Sequence, residues 1–117
     1  PKPEIISDMG SGFIPERYIP QDDVRITLYR RIINAIGLDE LDALCDEMSD
    51  RFGKIPTEVR YLAGLTAVKN FGGRFGISEV SIKRGTVTVK YNGAEIPEQV
   101  RKHLKSLGQY LKLSRIG

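Results

Sequence analysis

Helical periodicity is absent from residues 1–20. Four of the six prolines fall there with the stretch Met9-Gly-Ser-Gly-Phe13, and only Glu4-Ile5-Ile6 offers a short edge strand. A first helix starts after Pro20, with Asp22 and Asp23 in the first turn where the helix dipole favours acids. It runs to about Ile36, and Gly37 is the expected stop. Val24, Ile26, Leu28, Tyr29, Ile32, Ile33, Ala35 and Ile36 spread over about 200° of a helical wheel, which predicts burial on two sides. A second helix, about Asp39 to Phe52, is cleanly divided. Leu38, Leu41, Leu44, Cys45, Met48 and Phe52 share about 120° of arc, while Asp39, Asp42, Asp46, Glu47 and Asp50 lie opposite with Ala43 among them. Pro56 opens a third helix that reaches about Phe71; Val59, Leu62, Ala63, Leu65, Ala67 and Val68 make it the predicted central, buried helix.

After Gly76 the period changes from 3.6 to 2. Ile77, Val80 and Ile82, then Val87, Val89 and Tyr91, alternate with polar residues around Lys83-Arg84-Gly85, a β-hairpin pattern with Gly85 at a positive-φ position. Pro97 starts a fourth helix bearing Val100, Leu104 and Leu107, with Gly108 as its expected cap, and Tyr110-Leu-Lys-Leu113 alternates again as a third strand. Helices first and strands later predict an α+β fold, with N-terminal helices on one face of a small antiparallel sheet (hairpin plus C-terminal strand) and one further helix. Residues 1–20 read as an extended lead-in and 21–117 as a single α+β domain.

Composition narrows the functional classes. With 117 residues, 40% hydrophobic and 28% charged, the chain matches one ordinary globular domain. One cysteine and one histidine make neither an internal disulfide nor a Cys/His zinc site, which suits a reducing compartment. A first residue other than Met, no signal pattern and no apolar run near 18 residues together read as a fragment of a cytoplasmic protein with no membrane partner. The net charge of +3 hides an asymmetry: residues 1–50 carry 5 Lys/Arg and 11 Asp/Glu, whereas residues 51–117 carry 13 and 4. Six acids and no base lie between Asp39 and Asp50.

Catalytic chemistry finds little to stand on. His103, beside Arg101, Lys102 and Lys105, reads as a solvated histidine on the exposed side of the last helix. Cys45 lies on an apolar helix face and reads as a buried, inert thiol. Gly72-Gly73-Arg74-Phe75-Gly76 follows a helix rather than a strand, so it reads as a turn and not a phosphate cradle. Acids on a single straight helix fan outward and do not converge on a cation. No catalytic, metal or cofactor-binding residue is therefore assigned, and no cofactor is expected. Two binding surfaces remain: the basic half (Lys83, Arg84, Lys90, Arg101, Lys102, Lys105, Lys112, Arg115), as a nucleic-acid-binding module, and the acidic face of the second helix, as a protein contact.

Phe13-Ile-Pro-Glu-Arg-Tyr-Ile-Pro-Gln-Asp-Asp-Val-Arg-Ile-Thr-Leu-Tyr-Arg-Arg-Ile32 closely resembles the start of the C-terminal domain of bacterial transcription-repair coupling factors, in which two Ile-Pro steps lead into an Arg-x-x-x-Tyr-Lys/Arg-Arg motif. Leu38-Asp-Glu-Leu41 and Glu47-Met-Ser-Asp-Arg-Phe-Gly53, followed by Pro56, Val59 and Leu62, resemble the next segment of the same domain in order and spacing. The likeness covers residues 13–82 well and the rest loosely. It implies a non-catalytic, regulatory domain of an ATP-driven DNA translocase that removes stalled RNA polymerase and recruits the excision-repair protein UvrA. It further implies that the domain packs on the UvrB-like N-terminal module of its own parent and masks the UvrA-binding surface. DNA contact is then expected through the parent motor, not through this domain. The family's masking contact is electrostatic and uses acids that correspond to Glu47 and Asp50. On the helical wheel Asp46 and Ala43 lie beside them, so Ala43, Asp46, Glu47 and Asp50 are the expected partner-binding residues.

Overall fold

The computed structural model describes residues 1–117. Its elements run β1 (Glu4–Ser7), α1 (Asp22–Ile33), α2 (Leu38–Phe52), α3 (Thr57–Phe71), a short 3-10 turn (Gly72–Phe75), β2 (Ile77–Lys83), β3 (Thr86–Tyr91), α4 (Glu98–Lys105) and β4 (Tyr110–Arg115). The fold is α+β, with four helices and one four-stranded sheet in the order β1-β2-β3-β4. No helix is long and apolar enough to cross a membrane.

The sheet is mixed rather than wholly antiparallel. β2 and β3 form the expected antiparallel hairpin, turning tightly through Arg84 (φ 51°) and Gly85 (φ 80°). β1 runs parallel to β2, and β4 runs parallel to β3. The physical reason lies in the connections: α4 intervenes between β3 and β4 and α1 to α3 between β1 and β2, and crossovers of that length return a strand in the same direction. Val80, Ile82, Val87 and Val89 point inward, with Ile5, Leu111 and Leu113 half-buried beside them, while Glu79, Ser81, Thr88 and Lys90 face outward. The extended lead-in is woven into this frame, since Ile14 and Ile19 are buried in the helical core.

α3 is the spine. Tyr61 to Val68 are buried without interruption because the helix lies between two apolar clusters. Val59, Leu62, Ala63, Ala67 and Phe71 join Leu28, Ile32, Leu41, Leu44 and Met48 on one side, and Tyr61, Leu65 and Val68 join the sheet and Val100, Leu104 and Leu107 on the other. A helix buried on every side shows no polar face.

Three local expectations change. α1 ends at Ile33, and of its wide apolar arc Leu28 and Ile32, with Ala35 just beyond the helix, are buried; Ile26 and Ile33 are exposed, and Ile36 beyond the helix is 83% exposed. The central place that the wide arc suggested is taken by α3, so α1 has one covered side. Its ladder lapses at Ala35, whose amide donates to the Ile32 carbonyl at 3.2 Å, and the Ile36 amide donates to the Glu40 carboxylate at 3.1 Å. Gly37 therefore precedes α2 in extended backbone and does not cap α1. Gly108 does not cap α4 either, which closes at Ser106; Gly108 allows close approach, because a Cβ there would lie 2.5 Å from the Gly85 carbonyl oxygen.

Candidate interaction face on the second helix

The two motif segments that resemble the coupling-factor domain meet in space. The Tyr18 hydroxyl lies 2.8 Å from the Gly53 carbonyl oxygen and 3.1 Å from that of Met48, and its ring packs edge-on against Phe52 with centroids 5.9 Å apart. Burial raises the Tyr18 hydroxyl above its ordinary pKa, so it stays a hydrogen-bond donor to the end of α2. Arg25 turns back to donate to the carbonyls of Ile19 and Pro20 at 2.9 and 3.3 Å, bracing the Ile-Pro entry to α1. Tyr18 thus holds the C-terminal end of α2, and Arg25 fixes the turn into α1.

The polar side of α2 then divides into three strips. On the side towards α1, Glu47 accepts from Arg31 (3.2 Å to each oxygen) and from Arg51 (2.9 Å). Those hydrogen bonds hold its carboxyl below the usual range. On the side towards α4, Asp42 accepts from His103 Nε2 at 2.7 Å and Gln99 Nε2 at 3.0 Å, with Lys102 Nζ at 3.2 Å. Burial alone would raise the Asp42 carboxyl, but these donors outweigh it and hold the carboxyl below its ordinary value. Between the two runs an exposed strip of Asp39, Ala43, Asp46 and Asp50, spaced i, i+4, i+7, i+11 along one face. Ion pairs on α2 engage Asp42 and Glu47 and leave Asp46 and Asp50 without one.

Of the four expected contact residues, Ala43, Asp46 and Asp50 are exposed and lie together, and Glu47 sits at the margin with its side chain 36% exposed. His103 is a correction: it is 6% exposed, not solvated, because α4 turns it under the helix onto Asp42. A histidine flanked by three basic residues gave no such signal, and the i, i+3 acids Asp39 and Asp42 facing Gln99 and His103 become visible as a pair of edges only once α2 and α4 are adjacent. Cys45 lies close to this cluster, and burial together with Asp42 and Asp46 pushes its thiol up to about 11. A thiol held protonated in this way is no nucleophile. In the basic half, Lys90, Arg101, Lys102 and Lys105 are paired with Glu79, Glu95 or Glu98, Asp42 and Glu98. The chain's own carboxylates thus neutralise half of the cations on which a phosphate-binding surface would rely.

The profile of one protein family, the TRCF domain, matches residues 10–112. The chain belongs to the TRCF domain family. This TRCF domain is 32% identical over 107 residues to the transcription-repair-coupling factor of Rickettsia typhi, covering 91% of the chain and 9% of that protein. It is 40% identical over 58 residues to the one from Bacillus subtilis, covering 50% of the chain and 5% of that protein. The crystal structure of the C-terminal domain of a transcription-repair coupling factor superposes with a TM-score of 0.59 at 23% identity, over 86% of this chain and 59% of that one. The chain is thus a TRCF domain, and its fold is similar to that of the C-terminal domain of a transcription-repair coupling factor. It spans less than a tenth of the length of these curated relatives.

Proposed function

We propose that the TRCF domain is an autoinhibitory latch: the strip of α2 formed by Ala43, Asp46, Glu47 and Asp50 docks on the UvrB-like N-terminal module of the parent factor and masks its UvrA-binding surface. Release follows engagement of the parent at stalled RNA polymerase, and DNA is handled by the parent's ATP-driven motor. The observation that carries this reading is that Asp46 and Asp50 stand exposed and unpaired on a helix whose other acids are satisfied within the chain. A basic surface reaches them without disturbing Leu41, Leu44 or Met48, which are buried on the far side.

Weak contacts suffice for such a latch. Exposed ion pairs contribute about 0–1 kcal/mol each, too little to join separate proteins at cellular concentration. Tethering supplies an effective concentration on the order of 1 mM, so an intrinsic Kd near ~0.1 mM keeps roughly nine-tenths of molecules closed while a competitor still opens them. The test is Glu47→Ala with Asp50→Ala in the full-length factor. UvrA binding should rise while the fold is kept, and binding equal to wild type would remove the latch assignment.

A further inference from the structure

A groove of about 850 Å³ opens where the Met9–Phe13 loop, the first turns of α3, the β2–β3 turn and the segment after α4 meet, and no residue of α2 lines it. Its volume is within the ~300–1,000 Å³ typical of sites that take a small ligand or a few side chains. Two large apolar side chains stand open at its edge, Met9 at 62% and Phe13 at 56% exposure. Three cations line it: Arg60, Arg84 and Lys105. The first two have no ion pair, and Lys105 has only a 3.7 Å contact with exposed Glu98. The single acid in the lining, Glu58, is already held by Arg17 at 2.6 and 2.8 Å. The groove thus combines an apolar edge with two cations, Arg60 and Arg84, that have no ion pair, and a third, Lys105, whose pairing with Glu98 is long and exposed.

We propose that this groove docks a short acidic segment of a partner protein, with an apolar side chain anchored against Phe13 and Met9 and carboxylates placed on Arg60, Arg84 and Lys105. Anchors of this kind carry most of the affinity of small interfaces, and surrounding charge sets on-rate and selectivity. A nucleic acid fits less well. Phe13 is the one exposed aromatic in the lining, so successive bases find no stacking platform. Two carboxylates also lie at this groove: Asp8 accepts from the Arg84 backbone amide at 2.9 Å, and Glu58 is in the lining. A continuous phosphate backbone meets both acids, whereas a peptide places its carboxylates selectively. This site is independent of the α2 latch, and its failure would leave the latch untouched.

The test is an amide-resolved NMR titration of the 117-residue chain. The probe is a pool of 12-residue peptides with Phe, Leu or Met at two positions, Asp or Glu at four, and Ser or Gly elsewhere. Saturable shifts are expected at Gly12, Phe13, Gly85 and Gly108, and the same pool with Lys in place of the acids should give none. Phe13→Ala, and Arg84→Glu with Lys105→Glu, all at exposed positions, should each keep the spectrum of the folded chain and weaken binding about tenfold. Three results overturn the proposal: no saturable shift at those amides, equal binding of the Lys pool, or a 12-nucleotide oligo-dT that binds the same amides more tightly than the acidic pool.

Discussion

Asp42 is the residue through which α2 is locked to α4, and removing it gives a measurable account of that lock. Its side chain is 21% exposed and that of His103 only 7%, so the 2.7 Å bond between them is largely shielded from water. Asp42→Ala leaves the buried imidazole without its partner. An unsatisfied buried polar group costs about 1–3 kcal/mol. The Lys102 contact adds little, because that lysine is about half exposed. A loss of about 2 kcal/mol follows. Asp42→Asn, whose amide oxygen still accepts, should lose about half as much. In urea, where small domains unfold with slopes of about 1–3 kcal/mol/M, the Ala variant's midpoint should fall by about 1 M at unchanged slope. Acidification supplies a second arm. Because the folded Asp42 carboxyl lies below its unfolded value, its contribution is complete above the ordinary carboxylate range and is lost as pH falls through the folded pKa. Wild type should therefore lose more stability than Asp42→Asn as pH falls below about 4. An Ala-variant midpoint within about 0.2 M of wild type, or an Asn variant that loses as much stability on acidification, would refute the α2–α4 lock.

Gly64 lies where α3 meets α4, and a Cβ there would sit 2.7 Å from the His103 carbonyl oxygen and 2.9 Å from Leu107 Cδ2. Gly64→Ala should force the helices apart at a cost of about 1–3 kcal/mol, lowering the melting temperature by at least about 4 °C, and an unchanged melt would contradict the close packing. Arg31 and Arg51 compete internally for Glu47. If Glu47 is part of the latch, Arg31→Ala with Arg51→Ala should free it, strengthen docking in the full-length factor and lower UvrA binding below wild type. Unchanged binding would take Glu47 out of the contact while leaving Asp46 and Asp50 in it.

Local signals read well wherever neighbouring residues decide the outcome. The hairpin at Arg84–Gly85 followed from turn chemistry, and the apolar stripe of Leu41, Leu44 and Met48 followed from helical spacing. Uniform apolarity likewise marked α3 as central. Signals failed where a distant element chose between equivalent faces. Ile26 and Ile33 have the same hydrophobicity as Ile32, but only Ile32 faces α3 and is buried. β4 alternates as any edge strand does, and its direction was set by α4 lying between it and β3.

The candidate site shows the same division. By itself, the sequence determined that α2 has an acidic face, that this face lies within a motif of the TRCF domain, and that its acids point away from the core. Which acids remain open was decided only by tertiary structure. The docking of α4 spends Asp42 on His103, Gln99 and Lys102, and the docking of α1 spends Glu47 on Arg31. Asp46 and Asp50 stay unpaired because no element covers the strip between the two. A helix period tells which residues share a face; the partners those residues meet depend on helices tens of residues away in the chain, whose placement is set by the burial of α3 between two cores.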